Sequence, residues 1–353
     1  MLAKASPHFA ITPMLQENMC RMGQEVVYSK ASELIELFGQ VQVTAKQIDR
    51  VCNYYGEQIH KAEINSDGRV AKGNDSSPNN AKIIMPSSYE HLKALTRPGK
   101  DISHDHLYAM VDGSFLQCRA EEDNHKDVWK EIKVGRIFFS SHQVEQVSKN
   151  RNIIRYADYV VNMGDLKTFL SKMESRLDDY KGTLIFINDG ATGIWNWIED
   201  AYPKAIQILD YFHAMEYLSV FAEAYFDDKE ERTNWISSIE DQLNADQIEK
   251  VIELLKEIST ASKIKTKDAK EKLKALLSYY NTHKGRMRYG TYRKNGYLVG
   301  SGPIESAHRN VIQKRLKLSG QRWTVQGARN IACLRAHMKS MRIGELQKII
   351  KVA

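Results

Sequence analysis

Residues 108–115, YAMVDGSF, and residues 184–190, LIFINDG, decide how the chain is read. In each, a short apolar run stops at an Asp-Gly pair: Tyr108 to Val111 before Asp112 and Gly113, and Leu184 to Ile187 before Asn188, Asp189 and Gly190. Apolar runs of this length, closed by turn residues, are the pattern of buried strands. A carboxylate at the end of such a strand projects out of the sheet, and a neighbouring glycine leaves room for a ligand. Asp-Gly after a strand is also a common turn, and for either pair alone that is the better reading. Their recurrence in one succession of strands and helices points instead to a shared site. Two divalent cations a few ångströms apart need hard oxygen ligands drawn from several elements, and Asp112 and Asp189 are ligands of that kind.

Around these two runs the elements alternate. Ile132 to Phe139 and Tyr156 to Val161 supply two further strands. Asp165 caps a helix with Leu166, Phe169, Leu170, Met173 and Leu177 on one face and Gly182 closing it. A short helix follows around Ile194 to Trp197, then a strand from Ala205 to Leu209. Three strands, a helix, a strand, a helix and a strand make an α/β mixed sheet with helices packed on it, the order of the ribonuclease H-like fold. From Phe212 to about Gly290 the pattern is purely helical, with Trp235, Ile236, Ile239 and Leu243, then Ile248, Val251, Ile252 and Leu255, then Ala269, Leu273, Leu276 and Tyr280 at helical spacing. This predicts an all-helical insertion. The sheet domain resumes at residues 300–317, GSGPIESAHRNVIQKRLK, where Ser301, Gly302 and Pro303 start a helix and put Glu305 in its first turn.

Towards the N-terminus, Ala31, Leu34, Ile35 and Phe38 recur at helical spacing and Gly39 stops the run. Thr44 then caps a second run carrying Ile48, Val51 and Tyr55. Helix, turn, helix is the outline of a DNA-reading motif, although any small helical bundle contains such a pair. The stretch NSDGRVAKGNDSSPNN is too polar to order itself. The expected divisions are an N-terminal helical region at 1–60, a linker at 61–106, the first part of the catalytic core at 107–211, the insertion at 212–290, the Glu-bearing and C-terminal helices at 291–340, and a tail at 341–353.

The 353 residues carry a formal charge of +7, and the cations crowd the last third of the chain: Lys284, Arg286, Arg288, Arg293 and Lys294, then Arg309, Lys314, Arg315, Lys317 and Arg322. Such a face attracts the phosphates of nucleic acid, while charge alone fits a solvated surface equally well. Four cysteines far apart exclude a zinc-binding Cys-x-x-Cys pair and read as free buried thiols. No apolar run is long enough for a bilayer and the first residues lack a secretory pattern, so a cytoplasmic protein without a membrane partner is expected.

The stretches YAMVDGSF, IFINDGATGIWNWI, AIQILDYFHAMEYL and GYLVGSGPIESAHRNVIQKRLKLSGQRWT resemble, in order and wording, the bacterial insertion-sequence transposases of the ISKra type, over about residues 14 to 340. The resemblance implies a DDE catalytic triad of Asp112, Asp189 and Glu305. These would hold Mg²⁺, with Mn²⁺ as substitute, in an enzyme that cuts DNA at element ends and joins it to a target, as a homo-oligomer on DNA in the prokaryotic nucleoid. Asp210 and His213 form an Asp-x-x-His similar to a motif of Mutator-like and related transposases, which makes them possible accessory residues; a lone His beside Phe212 and Met215 is otherwise a hydrogen-bonded core residue. Arg309, Lys314, Arg315, Lys317 and Arg322 are the expected phosphate contacts beside Glu305. Trp235 and Trp323 are expected to anchor the core rather than stack on bases. Two alternatives stand beside this reading: a catalytically inactive, transposase-derived DNA-binding protein, and a glycosidase using two of the carboxylates, which the basic run after Glu305 disfavours.

Overall fold

The computed structural model describes residues 9–65, 85–96, 102, 105–119, 128–148, 151–260, 264 and 266–352. Four helices come first: α1 (Pro13–Glu25), α2 (Tyr28–Gly39), α3 (Ala45–Asn65) and α4 (Ser88–Leu95). They are followed by β1 (Leu107–Cys118), β2 (Val128–Phe139), β3 (Gln143–Ser148), β4 (Arg151–Ile154), β5 (Asp158–Met163), α5 (Leu166–Leu177), β6 (Leu184–Asn188), α6 (Thr192–Ala201) and β7 (Ile206–Leu209). The rest is helical: α7 (Tyr211–Tyr225), α8 (Lys229–Asn244), α9 (Ile248–Thr260), α10 (Lys267–His283), α11 (Tyr289–Lys294), α12 (Gly302–Ala307), α13 (Lys314–Leu316), α14 (Val325–Lys339) and α15 (Ile343–Val352). Between α12 and α13, His308–Gln313 wind as a π-helix. The mixed sheet has the order β5-β2-β1-β6-β7, with β2 and β5 antiparallel and β6 and β7 parallel. No helix among the described residues is long and apolar enough to cross a membrane.

Two compact units result. The first holds residues up to Leu107, Val111–Gly182 and Ile304–Ala353; the second holds Tyr108–Met110 and Thr183–Pro303, so β1 contributes to both.

In the first unit the N-terminal helices form where their caps dictate. Thr44 Oγ1 accepts from Gln47 N (3.2 Å) while Gln47 Oε1 accepts from Thr44 N (2.8 Å), a reciprocal capping box that starts α3. Ile48, Val51, Tyr55 and Ile59 on α3 are buried. Gly39 closes α2, and the left-handed residue that turns the chain is Gln40, with φ of 52°. Of the apolar stripe expected on α2, Ala31 and Ile35 are buried but Phe38 is 77% exposed.

Two expectations need correction. The segment read as a linker from residue 61 contains the last turn of α3 and the whole of α4, and the segment read as a tail is α15, with Leu346, Ile349 and Ile350 buried. Only 66–84, 97–101 and 103–104 of that linker lie outside the described residues. Leu346, Ile349 and Ile350 give α15 an apolar face of its own, while α4 and the end of α3 are held by polar groups in the core. Asp158, fully buried at the start of β5, accepts from Arg342 Nε (2.9 Å) and Nη2 (2.6 Å) and from Ser88 Oγ (2.7 Å). Arg176 Nη2 (3.2 Å) and Lys172 Nζ (3.0 Å) on α5 pair with buried Glu63 of α3. His91 reaches the Ser340 carbonyl (2.6 Å), and Ser340 Oγ accepts from Tyr159 N (2.8 Å). Eight-residue α4 is thus held by tertiary hydrogen bonds, which periodicity in the sequence does not report.

In the second unit β6 and β7 pair from Ile185 with Ile206 to Asn188 with Leu209. The helices α7 to α11 pack around Leu218, Phe221, Ile239, Leu243, Val251, Leu255, Leu273, Leu276 and Tyr280, all buried. Each such side chain removed from water contributes on the order of 1.5–3 kcal/mol. Trp235 lies against Phe221 and Phe226, within the apolar packing. No strand occurs among the described residues from 212 to 290.

Burial alone would raise the Asp158 carboxyl, but Arg342 and Arg176 outweigh it and hold the group well below the usual carboxylate range. The stability this contributes is full above the unfolded value near ~3.9 and is lost as pH falls further, towards the folded value. Asp158→Asn leaves Arg342 buried without its counter-charge and is expected to cost about 3–5 kcal/mol in urea unfolding at neutral pH. Below pH ~4 the variant should lose less stability than the parent. Equal unfolding midpoints at neutral pH would contradict the assignment.

Candidate functional site

The first unit carries Asp112 and Glu305. Asp112 is not at the end of a strand, as the apolar run suggested: β1 continues to Cys118, its side chains alternating between a covered face with Asp112, Ser114, Leu116 and Cys118 and an open face with Gly113, Phe115 and Gln117. The covered face meets the helical run from α12 to α13. His308 Nε2 lies 3.3 Å from Asp112 Oδ2, and Lys317 Nζ donates to Ser114 Oγ at 2.5 Å. Glu305 is exposed in the first turn of α12, three residues before His308, as expected of a helix opened by Gly302 and Pro303. Burial keeps the His308 imidazole below its ordinary pKa, with Asp112 pulling the other way. Burial likewise lowers Lys317, again opposed by Asp112.

The second unit carries Asp189, Asp210 and His213. Asp189 follows β6; its Oδ1 accepts from Ala191 N (3.0 Å) and its carbonyl from Trp195 Nε1 (2.5 Å), which ties it to the start of α6. Asp210 is fully buried and caps α7, its Oδ1 accepting from Phe212 N (3.2 Å) and Ser301 N (2.8 Å) while Oδ2 takes a short contact from His213 Nδ1. That bond, with the nearby charges of Asp210 and Asp189, outweighs burial, which acts the other way, and pushes His213 up to about 9. His213 is therefore an imidazolium at neutral pH with its side chain 42% exposed. His283 behaves oppositely: burial and Arg286 push it down to about 4.

The two glycines leave room, but protein occupies it. A Cβ on Gly190 would stand 2.4 Å from the Tyr279 ring, and one on Gly113 would stand 2.6 Å from Glu131 Oε1. Tyr279 stacks on Tyr217 at 4.1 Å, and its hydroxyl, buried near Asp189, has no hydrogen-bond partner among the described residues. His308, Tyr279, His283 and Glu131 were not singled out from the sequence. For His308 the signal was available, since it sits one turn after Glu305; for Tyr279 and His283, one helical turn apart on α10, nothing distinguishes them from core residues.

The expected phosphate contacts divide. Arg309, Lys314, Lys317 and Arg322 are exposed. Arg315 is not: it is 1% exposed, donates to the Gly23 carbonyl at 2.9 Å, and lies between the rings of Tyr28 and Trp323 at 4.8 and 4.9 Å. Its guanidinium is spent inside the fold and the DNA-contact reading is corrected. Trp323 is half-buried in the same stack. Among the earlier cations, Arg286 pairs with Glu199 over Trp195, and Arg288 with Glu249. All four cysteines are buried free thiols. Among the described residues, no group of three or more His, Cys, Asp or Glu side chains forms a ready-made metal site.

No protein-family model matches the chain, and no curated protein matches it. Among solved structures, the Drosophila P element transposase strand transfer complex aligns over 89% of this chain and 96% of that one, at 9% identity and a TM-score of 0.37. Similarity at that depth does not by itself give this chain an activity.

Asp210→Asn removes the charge that holds the proton on His213, so its pKa, read by NMR titration, is expected to fall from about 9 towards the ordinary ~6.5. The stabilisation from this pair is complete below pH ~6.5 and disappears as pH rises through the folded value. An unchanged titration in the variant would refute the role of Asp210.

Proposed function

We propose that the protein is a DDE-type transposase of the bacterial insertion-sequence kind, most like the ISKra type. On this reading it cuts and joins DNA at element ends with Asp112, Asp189 and Glu305, acting as a homo-oligomer on element ends and target. The observation that supports it best is the contact of His308 with Asp112, because it brings the helix of Glu305 onto the strand of Asp112 within one unit. With this go an exposed cationic run of Arg309, Lys314 and Lys317 directly after Glu305, and an imidazolium at His213 near Asp189.

The donor set fits Mg²⁺ chemically: three carboxylates supply hard oxygens and no thiolate competes. When bound, a metal pair activates the attacking hydroxyl and stabilises the leaving oxygen. The chain's own residues do the rest. Asp112 lies against His308, whose imidazole burial keeps below its ordinary pKa. Lys317, pinned to Ser114, and Arg309 and Lys314 fix the DNA backbone through its phosphates, contacts that position without reading sequence. His213, kept protonated by Asp210, offers Nε2–H to a phosphate oxygen.

The alternative reading is a transposase-derived protein that binds DNA without cutting it. Nicking of element-end DNA with Mg²⁺ or Mn²⁺ decides between them. Asp112→Asn, Asp189→Asn and Glu305→Gln should each lower nicking by at least ~100-fold while DNA binding persists, because metal-borne charge stabilisation amounts to several kcal/mol. Lys314→Ala should instead weaken binding alike on all sequences and reduce the salt slope by about one. Arg315→Ala should lower the unfolding midpoint, since it empties a buried cation site. Undiminished nicking by Asp112→Asn, or a parent protein that binds but never nicks with either metal, would overturn the enzyme reading.

A further inference from the structure

The first unit holds a second feature that the triad does not use. Beside the far end of β1, a groove of about 460 Å³ opens between the strand and residues 316–322. Trp129 of β2 and Phe115 of β1 line it and are 64% and 56% exposed, although the strands that carry them bury apolar residues elsewhere. Leaving two large aromatic rings in water forgoes the free energy their burial would give, and the opposite wall does not cover them. That wall is Lys317, Leu318, Gln321 and Arg322, cationic at both ends.

The wall is built rather than loose. Gly320, with φ of 73°, makes a turn that Gln321 N closes on the Leu318 carbonyl at 3.1 Å. Lys317 is held by Ser114 Oγ, Trp323 Nε1 donates to the Leu316 carbonyl at 3.2 Å, and Arg119 N donates to the Trp323 carbonyl at 2.8 Å. Aromatic faces on one side and fixed cations on the other are complementary to a flat base joined to phosphates. A duplex cannot present a base face in this way, because its bases are already stacked.

We infer that this groove binds single-stranded DNA, with an unstacked base on Trp129 or Phe115 and its flanking phosphates on Lys317 and Arg322. The site shares Lys317 with the surroundings of Asp112, while its rings, Trp129 and Phe115, lie on the exposed side and are not among the residues placed at the triad. It rests on the proposed function only in taking DNA as the ligand. Aromatic platforms of this type bind every base through its π face, and the cations supply the salt dependence.

The test uses the full chain without divalent metal, so that binding is read apart from cutting. Fluorescence anisotropy is followed for a labelled twelve-nucleotide oligothymidine and for an abasic strand with the same number of phosphates. The parent should bind the base-bearing strand at least ~5-fold more tightly than the abasic one, the lower end of what one stacked base contributes. Removing the ring that carries the base, by Trp129→Ala or by Phe115→Ala, should abolish that preference, Trp129→Phe should keep it, and Arg322→Ala should weaken both strands together. Both rings are exposed, so these variants should unfold at the parent's midpoint. Equal affinity of the parent for the two strands, or an unaltered preference in both Trp129→Ala and Phe115→Ala, would overturn the assignment. A protein that nicks DNA yet ignores the bases retires the groove alone; one that needs Trp129 for binding but never nicks keeps the groove and retires the enzyme.

Discussion

Asp158 has no access to water, and Arg342 reaches it with two nitrogens from 184 residues further along the chain. A buried ion pair of this sort adds little to stability compared with well-packed apolar residues, but neither partner tolerates any other environment. It therefore acts as a registry pin. Asp158 opens β5, whose pairing with β2 runs from Ile137 opposite Asp158 to Ile132 opposite Met163. Arg342 closes α14. Arg335, two turns earlier on that helix, donates from Nε (2.9 Å) and Nη2 (2.6 Å) to the Asn310 carbonyl inside the π-helical turn. Two residues before Asn310 stands His308 against Asp112. The position of the candidate catalytic strand relative to the Glu305 helix thus follows, contact by contact, from one carboxylate buried at the opposite edge of the unit.

Much of this was legible. Thr44 and Asp165 start helices where their side chains cap, Gly302 and Pro303 put Glu305 in a first turn, and the apolar stripes of α9 and α10 are buried as their spacing requires, while on α8 Ile239 and Leu243 are buried and Trp235 and Ile236 only half-buried. What was missed has two causes. The hydrophobic period marks an element only when an apolar face holds it, whereas α4 is fixed by the hydrogen bonds of Ser88 and His91; the apolar face of α15, with Leu346, Ile349 and Ile350 buried, was present in the sequence and was passed over. Polar residues in α4 looked like solvent-exposed chain because their partners lie up to 249 residues away. The end of β1 was misplaced for a related reason: Asp112 interrupts the apolar run, but a strand with one covered face passes through a polar residue without stopping.

The cations show why charge counting is a blunt guide. Arg315, Arg335 and Arg342 are among the largest fully buried side chains of the protein, each spent on backbone carbonyls, carboxylates or aromatic faces. Arginine suits this role because its guanidinium keeps its charge, is weakly hydrated and presents a flat fork of donors. The lysines do not behave this way at the same surface: Lys314 and Lys317 remain exposed one and two residues from buried Arg315. Any attraction for phosphate near Glu305 falls to them and to Arg309 and Arg322, a smaller set than the sequence offered.

Protonation divides the histidines by the same logic of partners. His213, given a buried carboxylate for its Nδ1, holds its proton past neutrality, while His283, close to Asp189 but beside Arg286, gives its proton up. Near the Asp189 carboxylate, then, one imidazole is fixed as a cation and the other as a neutral ring, without metal or substrate. His308 is the matching case in the first unit: buried beside Asp112, it stays able to accept a proton. An anion approaching the half-exposed His213 meets a positive donor whose proton Asp210 holds in place, whereas His308 is buried and offers a neutral ring.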